Sequence, residues 1–326
     1  MPQPLLSVRN LVKHFPLPRG PLDLLRGRAP ERVHAVDGVS FDLDRGRTLG
    51  LVGESGCGKS TLGRCVLRLY RPDAGEMWFE GVDLAGLDER GLMPYRKRMQ
   101  VVLQDPYSSL DPRQTVGSAL LEVLTVHAIG APPERPERVA RLLTQVGLRP
   151  TDARKYPGEF SGGQRQRIGI ARALAVGPEL LIADEPVSAL DVSIQAQILD
   201  LLLDLRRSLG LTMVFISHDL RVVRYLSDAV AVMYLGKIVE HAPAADLFAR
   251  PRHPYTLALL SAIPEVSGGT QAAVDIHGEP TSAVRLPGGC RFHPRCPWKV
   301  DRCLAEAPEL RELAPGHWVA CHEARP

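Results

Sequence analysis

Apolar positions along the chain follow two periods that exchange with each other. Residues 5–13 (LLSVRNLVK) read as a first strand, and residues 33–43 (VHAVDGVSFDL) alternate apolar and polar side chains as a half-buried strand does. Residues 48–52 (TLGLV) form a short apolar run leading into a glycine, the pattern of a buried strand that feeds a loop. Residues 60–69 are helical in pattern, and 76–80 and 99–103 are further strands. From 115 to about 175 the pattern is mainly helical, broken at Pro132, Pro133 and Pro157. Residues 179–183 (ELLIA) and 211–216 (LTMVFI) are buried strands with a helix over 192–209 between them, and 228–240 is a strand pair turning at Gly236. Strands alternating with helices in this way predict a mainly parallel sheet with helices packed on it. Residues 16–32, rich in Pro, Gly and Arg, read as a surface loop, and a composition shift to Pro, Gly, His and Cys after about 250 marks a boundary. There is no internal repeat.

Composition narrows the function classes. With 326 residues, 44% of them hydrophobic, the chain buries a sizeable core as one large domain or as a domain plus an appendage. A net charge of +3 with scattered basic residues gives no footprint for nucleic acid. The longest apolar stretches, such as Ala229–Gly236, fall short of the roughly 18 residues of a membrane span. Residues 1–15 lack the pattern of a secretory signal, so a cytosolic chain is expected, with any membrane role exercised through partners.

Gly53-Glu54-Ser55-Gly56-Cys57-Gly58-Lys59-Ser60 has the spacing Gly, four residues, Gly-Lys-Ser, after a strand and before a helix. Glycines there let successive backbone N–H groups converge on a phosphate, and the helix start adds the positive end of its dipole. Lys59 is placed to neutralise β- and γ-phosphate oxygens, and Ser60 to offer a hydroxyl to Mg²⁺. Cys57 reads as filler in this loop, not as a nucleophile. Residues 180–185 (LLIADE) supply the complementary acids: Asp184 for Mg²⁺ through water, and Glu185 to orient and polarise the attacking water.

A second anion-binding helix start follows at Ser161-Gly162-Gly163-Gln164-Arg165, with Ser161 a natural N-cap. Two such starts in one chain make sense when one of them serves a neighbour's nucleotide. With Phe160 preceding it, this stretch resembles the signature of the ABC ATPase family, in which two chains sandwich two ATP molecules. The resemblance covers about residues 5–250. It implies a RecA-like α/β P-loop core, an antiparallel β subdomain near the N-terminus and an inserted helical subdomain at about 105–175. It further implies that Gln104 senses Mg²⁺ and the transport side, that Ser188-Ala189-Leu190-Asp191 couples the two sites, and that His218 contacts the γ-phosphate. Phe15 is expected to stack on adenine. With these, Gly53, Ser55, Gly56, Cys57, Gly58, Lys59, Ser60, Thr61, Asp184 and Ser161 to Gln164 make up the nucleotide set, and Glu185, His218 and Gln104 the hydrolytic one.

The run from Gln104 (QDPYSSLDPRQTVG) resembles the oligopeptide and dipeptide importer ATPases, with Asp111 where many relatives have Asn. His253-Pro254-Tyr255-Thr256 resembles the opening of the extension carried by the same group. The division expected is an ATPase domain over 1–250 and an extension over 251–326. The function implied is a peptide-importer ATPase at the cytoplasmic face of the membrane. Its partners would be a second homologous ATPase chain in a heterodimer, two permease subunits and an extracytoplasmic binding protein. Nickel, glutathione and some sugar importers share the extension and are the nearest alternatives. A soluble ABC ATPase without transport function, an exporter and a redox- or metal-sensing regulator are the more distant ones.

Cys290, Cys296, Cys303 and Cys321 crowd the last 37 residues. Four cysteines in a polar tail argue for a metal. None of the two-residue spacings usual in structural zinc sites is present, and four thiolates also suit a [4Fe–4S] cluster. Some importer ATPases that this tail resembles hold such a cluster. Zinc and free thiols remain alternatives. His293, His317 and His322 lie nearby and are expected on the polar surface. Cys65 reads as a small core residue.

Overall fold

The computed structural model describes residues 3–18, 30–105, 110–262, 276 and 282–324. The loop expected over 16–32 and the run after Gln104 therefore lie partly outside the described residues. Two units are present. One is drawn from Met1–Asp44, Thr48–Gly86 and Ile216–Pro326, the other from Arg45–Arg47 and Leu87–Phe215.

The first unit opens with β1 (Leu6–Pro16) and β2 (Arg32–Leu43), paired antiparallel from Leu6↔Leu43 to Phe15↔Val33. Leu6, Val8, Val36, Val39, Phe41 and Leu43 are buried, so period-two alternation gives this layer one apolar face. β3 (Thr48–Val52) is buried at every residue, as a strand covered on both faces must be. It leads through the glycine-rich loop into α1 (Lys59–Val66). β4 (Ala74–Phe79) and β5 (Val82–Asp83) complete the N-terminal layer in the order β2-β1-β4-β5.

The second unit contains α2 (Glu89–Arg98), which the apolar pattern does not reveal. Asp88 caps it, its carboxylate accepting the Gly91 N–H at 2.8 Å. β6 (Met99–Val102) follows, then α3 (Val116–Val126), α4 (Arg135–Gln145) and α5 (Gly162–Leu174). Pro132 and Pro157 each open a short 3₁₀ turn between these helices, where the breaks were expected. Leu120, Leu124, Val139, Leu143 and Ile168 form their shared core. β7 (Leu180–Asp184), α6 (Val192–Leu209) and β8 (Thr212–Ile216) complete the unit, with strand order β8-β7-β6 and β6 parallel to β7. Glu179, just before β7, accepts from Arg98 and, at 2.6 Å, from Arg45. The Arg98 bond first, and Arg45 with it, pulls its carboxyl down to about 2.

The chain returns to the first unit through α7 (Leu220–Leu226), β9 (Ala229–Tyr234), β10 (Lys237–Pro243) and α8 (Ala244–Ala249). β9 lies parallel to β3, and β10 turns back antiparallel, as expected for the pair at Gly236. The tail then adds α9 (Pro254–Ser261), α10 (Asp301–Ala305) and a hairpin, β11 (Arg311–Ala314) and β12 (His317–Val319), that the sequence did not predict. β12 pairs with β10 through Glu240↔Val319 and His241↔Trp318, giving the order β11-β12-β10-β9-β3.

The tail's core is shared with the sheet. Phe292 lies 5.3 Å from Tyr234, 5.5 Å from Tyr255 and 5.6 Å from His253, centroid to centroid. His317 is a correction: it is buried, not on the polar surface, and its Nε2 meets Glu240 Oε1 at 2.7 Å. Glu240, fully buried, is satisfied in addition by the N–H groups of Arg252 at 2.8 Å and His253 at 3.0 Å.

Candidate nucleotide site

The phosphate loop lies in the first unit. Gly53, Gly56 and Gly58 have φ of 149°, 80° and 111°. At Gly58 a Cβ would sit 1.9 Å from the Ala35 carbonyl oxygen, so only glycine lets the loop fold against β2 there. Lys59, 4% exposed, donates to the carbonyls of Gly53 at 2.8 Å and Glu54 at 2.9 Å, which hold its ammonium on the inner side of the loop. Burial pushes the Cys57 thiol up despite Lys59 beside it, and pushes Cys65 up to about 12. Both are buried; Cys65 is the small core residue expected, while Cys57, expected as loop filler, is buried as well. Ser60 and Thr61 follow in α1, and Ser55 lies at the loop's crown.

Phe15, one residue before the end of β1, is half-buried, with its ring edge-on to Tyr70 at 5.4 Å and the Lys13 ammonium 5.4 Å from its centroid. Tyr70 is an aromatic neighbour that the sequence analysis did not single out. His218 is exposed just beyond β8. The turn after it is fixed by Asp219, which receives the Arg221 N–H at 2.9 Å and starts α7.

The second unit carries the acids and the signature. Asp184, 7% exposed, ends β7, and Glu185 follows with φ 48°, in the left-handed region that favours glycine. Ser188 holds the next turn, its hydroxyl donating to the Glu185 carbonyl at 3.1 Å. Ser161 caps α5 reciprocally: its hydroxyl accepts the Gln164 N–H at 3.3 Å, while Gln164 Oε1 accepts the Ser161 N–H at 3.0 Å. Ser161 and Gln164 are both exposed, so the box sits at the surface of its unit. Gly163 is buried against α6; a Cβ there would meet Ile194 Cγ2 at 2.4 Å. Leu190 and Asp191, from the turn expected to couple the two sites, lead into that same α6, so this turn and the start of α5 meet on one helix. Gln166, one turn along α5, donates to the carbonyl of Leu103, the residue before the exposed Gln104, at 3.3 Å.

The four tail cysteines come from three segments. Cys290 and Cys296 flank the turn His293–Arg295, Cys303 lies in α10, and Cys321 follows β12. Cys290 donates its N–H to the Cys303 carbonyl at 2.9 Å. Burial pushes Cys296 up to about 11, and the other three thiols act on it in the same direction, so the four share one neighbourhood. Cys290 and Cys321 are raised for the same first cause. Among the described residues no three of these sulfurs lie within 4.8 Å of one another.

These features agree with known proteins. A profile of the family described as "ABC transporter" matches residues 36–188, and one described as "Oligopeptide/dipeptide transporter, C-terminal region" matches residues 239–303. The chain is 51% identical over 322 residues to the oligopeptide transport ATP-binding protein AppF of Bacillus subtilis, covering 98% of this chain and 97% of that one. The chain belongs to the ABC transporter ATP-binding family. This ABC ATPase is also 47% identical, over 98% of its length and 97% of the relative's, to the di/tripeptide transport ATP-binding protein DppF of Pseudomonas aeruginosa. A solved ATP-binding cassette, dimeric and bound to ADP and Pi after hydrolysis, superposes with a TM-score of 0.64 at 28% identity, over 73% of this chain and 98% of that one.

Sequence reasoning missed three residues that touch the loop or support a residue that does: Tyr255, Arg295 and His253. His253-Pro254-Tyr255 was legible as a family mark, but its work was not. His253 caps α9, Nδ1 accepting the Tyr255 N–H at 3.0 Å. Burial lowers its pKa to about 4, which keeps that nitrogen an acceptor.

Proposed function

We propose that this ABC ATPase hydrolyses ATP as the energising subunit of a peptide importer. One chain's phosphate loop and the other chain's signature would grip each nucleotide. What supports this most is Ser161: it caps a glycine-opened helix at an exposed position, the local arrangement that suits an anion. In this reading Lys59 and the loop N–H groups hold the β- and γ-phosphates, Phe15 stacks on the base, and His218 and Gln104 reach the γ-phosphate side. Ser60 and Asp184 offer the hard oxygen donors that suit Mg²⁺, which when bound neutralises phosphate charge. Glu185 takes the proton of the attacking water. Asp191, at the start of the helix against which Gly163 packs, relays closure between the two sites.

The partners proposed are a homologous ATPase chain in a heterodimer, two permease subunits that place the pair at the cytoplasmic face of the membrane, and a binding protein that delivers peptide. No helix among the described residues is long and apolar enough to cross a membrane, which fits attachment through partners. The domain reading is retained: an ATPase domain over 1–250 and an extension over 251–326.

Cys290, Cys296, Cys303 and Cys321 would hold a [4Fe–4S] cluster. Four thiolates suit such a cluster, and the two-residue spacings usual in structural zinc sites are absent. The cluster would brace a tail whose own core is small.

Co-purification with native membrane partners, followed by ATPase assay with and without peptide-loaded binding protein, tests the transport reading. Peptide-stimulated turnover is expected, and stimulation by another cargo class alone would refute it. Iron and acid-labile sulfide in equal amounts are expected in the purified chain. Stoichiometric zinc would replace the cluster by a zinc site.

A further inference from the structure

Glu54, the second residue of the phosphate loop, is held from outside the loop on two of its atoms' sides. Its backbone N–H donates to Tyr255 Oη at 2.8 Å. Its carboxylate accepts a two-pronged bond from Arg295, Nη1 to Oε2 at 2.9 Å and Nη2 to Oε1 at 3.0 Å. The Arg295 side chain is 9% exposed and lies over the Tyr234 ring at 5.9 Å, so the fork is partly desolvated and its geometry fixed by packing. Tyr255 is fully buried, seated by the His253 cap and the Phe292 cluster. The third handle on Glu54 points inward: its carbonyl accepts the Lys59 ammonium at 2.9 Å. One residue thus joins Lys59 to two side chains of the extension.

We propose that Tyr255 and Arg295 are positioning residues for nucleotide binding: they hold Glu54, and through its backbone they set where Lys59 and the loop stand. Arg295 directly precedes Cys296, so the thiol site is coupled to the phosphate loop across a single residue. The extension is then a clamp on the ATP site of its own chain. The inference rests on the reading of residues 53–60 as the ATP loop.

The test is equilibrium titration of the full-length chain with a fluorescent ATP analogue and Mg²⁺, a readout independent of turnover and transport. Arg295→Gln and Tyr255→Phe are each expected to weaken binding by about tenfold, the scale of one charge-assisted or otherwise unreplaced hydrogen bond. Arg295→Lys, which keeps the charge and loses the fork, should fall between the parent and Arg295→Gln. Glu54→Gln combined with Arg295→Gln should be no weaker than the worse single variant, because both remove the same contact. Tyr255→Phe removes one oxygen only and guards against a folding artefact; unfolding midpoints check the rest. Parent-like affinity in both Arg295→Gln and Tyr255→Phe would overturn the proposal, as would full additivity of the Glu54 and Arg295 changes. Cys296→Ser is expected to weaken binding in the same direction, and unchanged affinity there would overturn the link to the thiol site. Failure of the parent chain to bind the analogue would instead refute the ATP-site reading on which the inference stands.

Discussion

Replacing Gly163 by alanine tests the packing of the signature against the coupling turn most directly. The added Cβ would stand 2.4 Å from Ile194 Cγ2, where carbon atoms rest at about 3.5–4.0 Å, so roughly 1 Å or more must be found. Ile194 cannot supply it cheaply. It is β-branched and sits in α6, where one χ1 rotamer dominates, and the offending methyl is bonded to Cβ itself. The strain therefore passes to the two helices, separating the start of α5 from α6. Overpacking of this size costs about 1–3 kcal/mol. Ser161 lies two residues away, so its N–H groups shift with the helix, and ATPase activity of the assembled complex is expected to fall by about tenfold or more. Urea unfolding of Gly163→Ala gives the first magnitude. A second change separates steric overlap from general intolerance. Ile194→Ala in the Gly163→Ala background removes Cγ2 and should recover stability relative to Gly163→Ala alone, whereas Ile194→Val keeps that methyl and should recover none. A Gly163→Ala chain as stable as the parent, or equal rescue by valine, would refute the reasoning.

Glu185→Gln should lower single-turnover hydrolysis by about 10²–10⁴-fold while ATP still binds, measured by rapid quench; parent-like turnover would remove Glu185 from its role as base. His253 should leave a pH signature. Its folded pKa, about 4, lies below its ordinary 6.5, so its contribution is fully present above about pH 6.5 and is lost as pH falls toward 4. The scale is about 3 kcal/mol. Urea midpoints of the parent should drop across that window more steeply than those of His253→Asn, which can cap without titrating. Glu179, held at about 2 by Arg98 and Arg45, contributes above about pH 4.5 and loses its contribution as pH falls toward 2; being about a third exposed, Glu179→Gln should cost about 1 kcal/mol at pH 7 and flatten acid unfolding below 4.5.

Much of this molecule was determined locally and was legible in the chain. The strands at 48–52, 180–184 and 212–216 are buried throughout and mostly apolar because both their faces are covered, and α6 is bounded by Asp191 and a left-handed Gly210, so period and punctuation suffice to find them. The phosphate loop and the signature are local as well. Their shape is set within a few residues by positive-φ glycines in the one and a capping box in the other, so spacing alone reveals them. The helix at Glu89–Arg98 escaped because it buries only Leu92 and carries Pro94, leaving no apolar stripe to read. Only the tertiary structure decided what the extension does. His317 looked like surface until β12 joined β10 and brought it to Glu240, 77 residues away. Tyr255 and Arg295 meet Glu54 across separations of 201 and 241 residues. No period or spacing records such contacts, because they depend on where a complete sheet sets its neighbours and not on the order of residues within any one segment.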